Sequence, residues 1–443
     1  MNTYDKIKGI SQMIQTEQFL ERYRILPKYF TRKRKITFIQ LIYFILNKKG
    51  LSLNMEIDNF KETIGNNLNN ITESAICQQR QKIDSEAFKE LNRKYIKDSY
   101  KNLKEVKNLK GYLVFAIDGS DIELPNIKEI KKIFGQSGGQ KGQRTTARAK
   151  CSCIYDVLNY WVVDSVIDKY TRPERKLAKE NIKAMNKLID IKIPKIIIFD
   201  RGYPSLGMMY LLNDMKIKYL FRIPDKNFKK EQKMMKDNDC RISVTITKDR
   251  LRYLHSEEDK NMLKNIKEIE TRFVKFVEAG EEKIFITNLD KEEFDTKEIY
   301  DLYFKRWKIE LLYEKAKNKM VIENFSGQNE NTIKQEFYAQ IFLLNVAEDL
   351  KKDANNKIKQ KRENGYKYDY QINMNLLIGK LRKKFIQIII AMTENESIEA
   401  EEQYYLLFKE IQKNLIPIRK NRKNERNKYK GYNKYKQNLR RNS

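Results

Sequence analysis

Two short apolar runs, each ending in an aspartate, constrain the fold of this chain more than any other feature. LVFAI, residues 113–117, leads to Asp118, and IIIF, residues 196–199, leads to Asp200. Such runs, followed closely by glycine, predict strands that end in turns. A single aspartate at a strand end is usually a turn residue. Two of them on neighbouring strands of one sheet would lie a few ångströms apart at the same edge.

Two carboxylates so close together repel each other unless a cation holds them. Mg²⁺ prefers carboxylate oxygens and keeps positions open for water and phosphate. Two such ions about 3.5–4 Å apart activate an attacking hydroxyl and stabilise the leaving oxygen of a phosphodiester. This arrangement needs a third carboxylate on an adjacent element. Glu310 is the candidate, and Glu314 is its rival.

The third carboxylate belongs to the segment DLYFKRWKIELLYEKAKNKM, residues 301–320. We predict one helix over residues 297–318, which covers most of this segment. At about 100° per residue, an arc of roughly 60° on this helix carries four polar side chains: Tyr303, Arg306, Glu310 and Lys317. Arginine and lysine on such a face would hold phosphate, and the tyrosine would donate to phosphate or stack on a base. The alternative is an ion-paired surface, in which an i,i+4 pair contributes only ~0.2–0.5 kcal/mol.

The charge balance favours a polyanionic partner. The 443 residues include 90 Lys+Arg and 60 Asp+Glu, a formal net charge of +30. Nucleic acid is the commonest partner of so basic a protein, although a general bias towards Lys, Asn and Ile would also raise the charge. The single histidine, His255, excludes zinc sites with two or more histidines. Any chemistry must therefore use carboxylates, metals, Tyr, Lys or Arg.

Neither disulfides nor a membrane span are expected. The four cysteines lack CxxC spacing, and we expect buried free thiols. The longest apolar stretch, residues 38–46, is about half of the ~20 residues that a spanning helix needs. No secretory signal is visible at the N-terminus, so a cytosolic protein is expected.

The pattern along the chain is helical, then mixed, then helical again. Residues 1–108 predict helices, one of which presents Arg80 and Lys82 outward, either on DNA or as a solvated face. From residue 111 the order is strand, hairpin, helix, strand, helix, strand, and the hairpin joins residues 149–155 to residues 160–167. Alternating segments follow, and the chain ends in helices and a basic tail that is expected to be disordered alone.

The ordered motifs resemble those of a known family. Tyr303, Arg306, Glu310 and Lys317 match the Y-x2-R-x3-E-x6-K pattern of bacterial insertion-sequence transposases of the Asp-Asp-Glu class, in the insertion-sequence-four family, at every spacing. IDGSDIELP and FDRGYPS resemble the first and second aspartate segments of that family, and ERKLAKE and IFITNL resemble further segments. The resemblance extends over about residues 113–340.

The resemblance implies an α/β fold with a ribonuclease-H-like catalytic core, a mixed five-stranded sheet with flanking helices. The expected core covers residues 109–224 and 289–345, interrupted by a β-rich insertion domain. The other expected parts are the insertion at 225–288, a helical DNA-binding domain at 1–108, C-terminal helices at 346–415 and a basic disordered tail at 416–443.

The resemblance also implies a chemistry and selects Glu310 over Glu314. Two Mg²⁺ ions, replaceable by Mn²⁺, would be bound by Asp118, Asp200 and Glu310. Double-stranded DNA, meaning the element's terminal inverted repeats and the target, would be held by Tyr303, Arg306, Lys317 and Arg201. The activity would be cut-and-paste transposition by hydrolysis and strand transfer, by a homodimer in the synaptic complex, in a bacterial cytoplasm at the nucleoid.

Two alternatives remain open from the sequence. One is a ribonuclease-H-like nuclease without strand transfer, and the other is a non-catalytic DNA-binding protein. The chain also departs from the family, since neither of its tryptophans, Trp161 and Trp307, lies in the insertion region, where relatives stack a tryptophan on a flipped base. Phe285, Phe294 or another aromatic side chain would have to hold such a base.

Overall fold

The computed structural model divides the chain into two compact units. The first comprises Met1–Asn102, Ile122–Ala149 and Glu314–Ser443, and the second comprises Leu103–Asp121 and Lys150–Tyr313. The residues that the structure describes are 2–32, 35–65, 71–138, 145–254, 256–278, 280–360, 368–393 and 397–419. His255, residues 139–144 and the tail from residue 420 lie outside the described residues.

The helices, in chain order, are α1 (Thr3–Gln15), α2 (Glu17–Tyr23), α3 (Phe38–Asn47), α4 (Leu53–Ile64), α5 (Glu73–Arg80), α6 (Glu86–Ser99), α7 (Lys128–Phe134), α8 (Glu174–Leu188), α9 (Leu206–Asp214), α10 (Lys229–Lys233), α11 (Lys248–Arg252), α12 (Glu257–Leu263), α13 (Thr296–Phe304), α14 (Trp307–Asn318), α15 (Glu330–Gln360), α16 (Met374–Thr393) and α17 (Ser397–Gln412). The strands are β1 (Leu113–Glu123), β2 (Gln136–Ser137), β3 (Thr146–Asp156), β4 (Trp161–Lys169), β5 (Lys195–Phe199), β6 (Lys218–Ile223), β7 (Asp239–Thr245), β8 (Glu268–Glu278), β9 (Glu281–Thr287), β10 (Tyr370–Ile372) and β11 (Leu415–Pro417).

A mixed sheet forms the centre of the second unit. Its strand order is β4-β3-β1-β5-β6-β9-β8-β7. Strand β5 pairs in parallel with both β1 and β6, whereas β9, β8 and β7 are antiparallel to their neighbours. All five residues of β5 are buried. A central parallel strand is covered on both faces, which is why its sequence is a continuous apolar run rather than an alternating one.

The sheet extends beyond the five strands expected for the core. Among the described residues it has nine strands, counting β2, which pairs with the start of β3. The segment 225–288, which was expected to be an insertion domain, supplies β7, β8 and β9 to this same sheet. The physical reason is that β9 pairs with β6, from Leu220 opposite Thr287 to Ile223 opposite Ile284. The alternating patterns that predicted these three strands are thereby confirmed.

The predicted hairpin is confirmed as β3 and β4. Its turn is fixed by Asp156, whose Oδ1 accepts hydrogen bonds of 2.9 Å from the backbone N–H groups of Leu158 and Asn159. Tyr160 completes the turn at a φ of 65°. An aspartate that accepts backbone hydrogen bonds ahead of it is a strong turn former, so this connection is determined locally.

Helix α15 forms the centre of the first unit. Residues 341–350, IFLLNVAEDL, are all buried, because α3, α6, α16 and α17 all pack against α15. The domain boundary expected at residue 345 falls inside this continuous helix. The predicted helices of residues 1–105 are confirmed, and the buried α3 begins with a capping box formed by Thr37 and Gln40.

A buried ionic cluster connects the start of α15 to the N-terminal helices. Glu336 Oε1 lies 2.8 Å from Lys48 Nζ and 2.7 Å from an Arg80 terminal nitrogen. Arg80 also donates to the backbone oxygen of Thr332 and to Gln335. The expectation that α5 presents Arg80 outward is therefore wrong: the side chain is only 2% exposed and its donors are used inside the unit.

The cysteines are free, as predicted, but not all of them are buried. All four cysteines are free; Cys151 and Cys153 are buried as predicted, whereas Cys77 is exposed and Cys240 is half-buried. No helix in the described ranges is long and apolar enough to cross a membrane.

Replacing Glu336 with alanine should destabilise the protein strongly. Burial alone would raise its pKa, but Lys48 and Arg80 hold the pKa at about 2. Removing the carboxylate leaves two buried cations unpaired, which costs about 3–5 kcal/mol. The stabilisation by Glu336 is present above its ordinary pKa of 4.5 and is lost as pH falls towards 2.

Urea unfolding at pH 7 measures this loss. The matched control is Glu330→Ala in the same helix, because Glu330 is 52% exposed and pairs with Lys334 at the surface. That exposed pair should contribute about 1 kcal/mol or less. Equal destabilisation by both variants would contradict the assigned role of the buried cluster.

Candidate active site

Asp118 and Asp200 follow the last residue pair in the register of two parallel strands. That pair is Ile117 of β1 with Phe199 of β5. The expectation that a strand ends at Asp118 is wrong, because β1 continues to Glu123, whereas Asp200 is the first residue after β5. Neighbouring parallel strands deliver such residues to one edge of the sheet. The pairing on which the sequence prediction depended is therefore present.

Tyr303 contacts this pair directly. Its hydroxyl donates a hydrogen bond of 3.0 Å to Asp200 Oδ1. The ring is 8% exposed and packs against Phe285, with ring centroids 5.1 Å apart. Burial raises the pKa of Tyr303 to about 12, so the hydroxyl remains a donor. In this arrangement Tyr303 positions an aspartate and offers no open face for a base to stack on.

The predicted single helix is broken at Arg306. Helix α13 ends at Phe304 and α14 begins at Trp307. Between them, the backbone N–H groups of Lys305, Arg306, Lys308 and Ile309 each donate to the carbonyl three residues earlier. Such bonds tighten the chain by one local turn and shift the register of the following helix. The prediction of one continuous helix over 297–318 is wrong for this reason.

Arg306 lies between the carboxylates. Its guanidinium is 3.9 Å from Asp118 Oδ2 and 2.7 Å from Glu310 Oε1, and the residue is 8% exposed. It therefore connects Glu310 to the aspartate pair and compensates part of their negative charge. Glu314, the rival glutamate, is exposed on α14.

The two aspartates have opposite pKa shifts. Burial raises the pKa of Asp118 to about 6; the Gly119 N–H and Arg306 oppose this rise, and the charge of Asp200 adds to it. Burial also acts on Asp200, but the N–H of Arg201, the Arg306 guanidinium and the Tyr303 hydroxyl together hold its pKa below the ordinary value. Asp200 thus ionises more readily than Asp118, whose pKa lies at about 6.

The other predicted contact residues lie in different surroundings. Arg201 is exposed directly after Asp200. Lys317 belongs to the first unit, where its Nζ is 3.8 Å from Glu323 Oε1. Lys82 is half-buried and donates to Gln79. For Arg201, Lys82 and Lys317, contact with DNA stays a prediction.

The aromatic side chains suggested for a flipped base are enclosed. Phe285 is 0% exposed and Phe294 is 1% exposed. A base could stack on either ring only after the surrounding core had opened.

Tyr313 belongs to the site although its role was not predicted from the sequence. Its hydroxyl donates a hydrogen bond of 2.7 Å to the backbone oxygen of Asp118, which connects this part of β1 to α14. The signal was available, because residue 313 lies about 80° from Tyr303 on a helical wheel, next to the polar arc. A tyrosine beside a mainly apolar face looks like a core residue, which is why the arc alone did not mark it.

The comparisons with known proteins bear on this geometry. The family model of the transposase DDE domain matches residues 109–346, more than half of the chain. The chain belongs to the transposase DDE domain family. The described site residues Asp118, Asp200, Tyr303, Arg306, Glu310 and Tyr313 all lie inside the matched span.

This transposase DDE domain was also compared with solved structures and with curated proteins. Among solved structures, the chain is similar to a cryo-EM structure of the piggyBac transposase synaptic complex with hairpin DNA. The TM-score is 0.42 and the sequence identity 9%, over 91% of this chain and 84% of that chain. No curated protein matches the sequence.

Two of the carboxylates at this site suit a hard divalent cation. Asp118 and Asp200 offer adjacent carboxylates, and Mg²⁺ commonly takes one or two carboxylates and completes its shell with water and phosphate. Within the described ranges, no three His, Cys, Asp or Glu side chains are close enough to hold a metal ion together.

Asp118→Asn should stabilise the metal-free protein at neutral pH. The raised pKa favours the protonated form in the folded state, so the native contribution of Asp118 is intact below about pH 4 and is lost as pH rises through about 6. An uncharged asparagine avoids that loss, and the gain at pH 8 should be about 1–3 kcal/mol.

Urea unfolding in EDTA between pH 4.5 and 8 measures this gain. Asp225→Asn, at an exposed position after β6, is the matched control and should change stability by at most about 0.5 kcal/mol. If Asp118→Asn were destabilising at pH 8, the buried and repelled state of this carboxylate would be refuted.

Proposed function

We propose that the protein is a cut-and-paste transposase of the insertion-sequence-four family that cleaves and joins DNA with Mg²⁺. The observation that carries the proposal is the single cluster formed by Asp118, Asp200, Tyr303, Arg306 and Glu310. All five residues take part in side-chain contacts with one another, just beyond the paired part of the parallel strands β1 and β5. The parallel strands β1, β5 and β6, with the β3–β4 hairpin on the other side of β1, support a ribonuclease-H-like core.

Each residue has a separate task in this proposal. Asp118, Asp200 and Glu310 bind two divalent cations, which supply Lewis acidity to the attacking oxygen and to the phosphate when bound. Tyr303 keeps Asp200 ionised and oriented. Arg306 neutralises the carboxylates in the metal-free protein and turns to the scissile phosphate once cations take over that task, since a guanidinium forms bidentate contacts with phosphate.

A basic groove in the first unit supports DNA as the partner. The groove runs between α4 and α16, and five cationic side chains line it: Lys49, Lys380, Arg382, Lys383 and Lys384. Glu410 pairs with Lys380 and Lys384, so part of this charge is compensated within the unit. The remaining charge, together with the net +30 of the chain, suits a polyanion. Double-stranded DNA of the element's ends and of the target, bound by a homodimer, is the proposed partner.

Strand cleavage tests the assignment of the carboxylates. Asp118→Ala and Glu310→Gln should reduce Mg²⁺-dependent nicking of a DNA duplex that carries the element's terminal repeat by at least about 10³-fold, as expected when preorganised charge at the reacting phosphate is removed. Glu314→Gln is the matched control, because it makes the same change one turn later on the exposed side of α14, and it should retain nearly full activity.

The products of the same reaction separate the proposal from its alternatives. Joining of the cleaved end to a target duplex supports transposition, whereas cleavage without joining indicates a nuclease. Binding of the repeat without any cleavage, under Mg²⁺ or Mn²⁺, would indicate a non-catalytic DNA-binding protein. Full cleavage by Glu310→Gln would refute the assignment of this glutamate.

Tyr303→Phe should shift the pH dependence of cleavage without abolishing it. The lost hydrogen bond favours ionised Asp200, so the pKa of Asp200 should rise in the variant. The acid limb of the kcat/KM profile should then move to higher pH. Tyr300→Phe is the control, because Tyr300 lies on the same helix and its hydroxyl bonds Glu278 instead. An unchanged profile for Tyr303→Phe would show that the tyrosine only packs.

A further inference from the structure

A fourth carboxylate lies beside Asp118. Glu174 is the first residue of α8, and its carboxyl group lies against Gly119, the residue after Asp118. A Cβ placed on Gly119 would be 3.0 Å from Glu174 Cδ, 3.1 Å from Cγ and 3.3 Å from Oε1. Those distances are too short for comfortable packing, so glycine at this strand position allows the glutamate to approach. Burial, then the charges of Asp200 and Glu174, raise the pKa of Asp118.

Lys150 forms an ion pair with Glu174 and has Asp121 as a second anionic partner. Lys150 Nζ is 3.2 Å from Glu174 Oε1 and 2.5 Å from Asp121 Oδ1. Because Asp121 is the closer partner, the lysine keeps a counter-charge when Glu174 turns away. The glutamate side chain is 41% exposed, so it has room to move. It can therefore exchange an ammonium for another cation without leaving a buried charge unpaired.

Tyr203 provides an independent sign that a ligand belongs here. The side chain is 1% exposed, and its hydroxyl has no hydrogen-bond partner among the residues that the structure describes. The charges that act on this hydroxyl, after burial itself, are those of Asp118, Glu174 and Asp200. A buried hydroxyl left unpaired costs about 1–3 kcal/mol. A ligand oxygen at this point would remove that cost.

We propose that Glu174 is a fourth carboxylate of the active site, which holds a divalent cation together with Asp118, and that Tyr203 donates a hydrogen bond to an oxygen atom on that cation. The inference rests on the proposed function, because it concerns the same metal-dependent site. It gives Asp118 a second carboxylate neighbour, one that does not compete with Arg306 for position. Glu174 is thereby a ligand of the cation, and Gly119 and Lys150 are positioning residues.

Binding of Mn²⁺ to the full chain without DNA tests the inference. Electron paramagnetic resonance of free Mn²⁺ gives the number of sites and their affinity. Glu174→Gln should weaken binding by about tenfold or more, as loss of a metal-supporting carboxylate commonly does. Glu180→Gln is the matched control: it lies in the same helix, is equally 41% exposed and pairs with Arg172. It should change the affinity by less than about twofold, as expected for an exposed pair.

Gly119→Ala tests the geometry without removing any charge. Its Cβ would push the Glu174 carboxyl group away from Asp118, so Mn²⁺ affinity should also fall. The rise in Tm that Mn²⁺ produces should be smaller in both variants than in the wild-type protein. The Tm in EDTA shows that each variant is folded, which separates a lost ligand from a lost fold.

The outcomes distinguish this inference from the proposed function. If the wild-type protein binds no Mn²⁺, the metal-dependent function itself fails. If the wild-type protein binds Mn²⁺ and both Glu174→Gln and Gly119→Ala bind it with the same affinity and number of sites, Glu174 is not a ligand and only this inference is overturned. Weakened binding in both variants, with Glu180→Gln unchanged, supports it.

Discussion

The parallel pairing of β1 with β5 is the constraint on which the site depends. It brings Ile117 opposite Phe199, and the next residues on both strands are aspartates. Both strands are central in the sheet and both carboxylates are half-buried, so each of them needs a compensating charge or hydrogen bond nearby. Arg306 and the Tyr303 hydroxyl supply it for Asp200. Asp118 receives less, and its pKa of about 6 measures the remaining repulsion and burial.

The broken helix explains how one side chain can serve two states of the site. Hydrogen bonds to the carbonyl three residues earlier interrupt the chain around Arg306, and the guanidinium then lies between Asp118 and Glu310. In that position the positive charge of the arginine compensates the carboxylates in the absence of a bound metal cation. Glu310 pairs with this guanidinium, and the described residues contain no group of three His, Cys, Asp or Glu side chains that could hold a metal ion. In the proposed function, metal binding and arginine release are therefore one exchange, which couples assembly of the carboxylates to phosphate recognition.

Local sequence signals predicted the strands and the carboxylates, whereas partners distant in the chain decided what was missed. The apolar runs before Asp118 and Asp200 are diagnostic of buried strands because only covered strands tolerate them. The outward orientation expected for Arg80 was wrong because its partner, Glu336, is 256 residues away. The break at Arg306 had no glycine or proline to mark it. The continuation of the sheet by β9 follows from pairing with β6, which no local pattern specifies.

Glu174 shows why the residues of this carboxylate site can be predicted only in part from the sequence. Glu174 and Glu180 begin and continue the same amphipathic helix, with equal exposure and one basic partner each. What separates them is the absence of a side chain on Gly119, a residue of a different element. A glycine inside a strand weakens it unless another group must come close. Here the close group is a carboxylate beside two others, near a buried hydroxyl without a partner. The glycine in the strand, the clustered carboxylates and the unpaired hydroxyl each destabilise the fold. Where several such destabilising features occur together, we expect a ligand that offsets them.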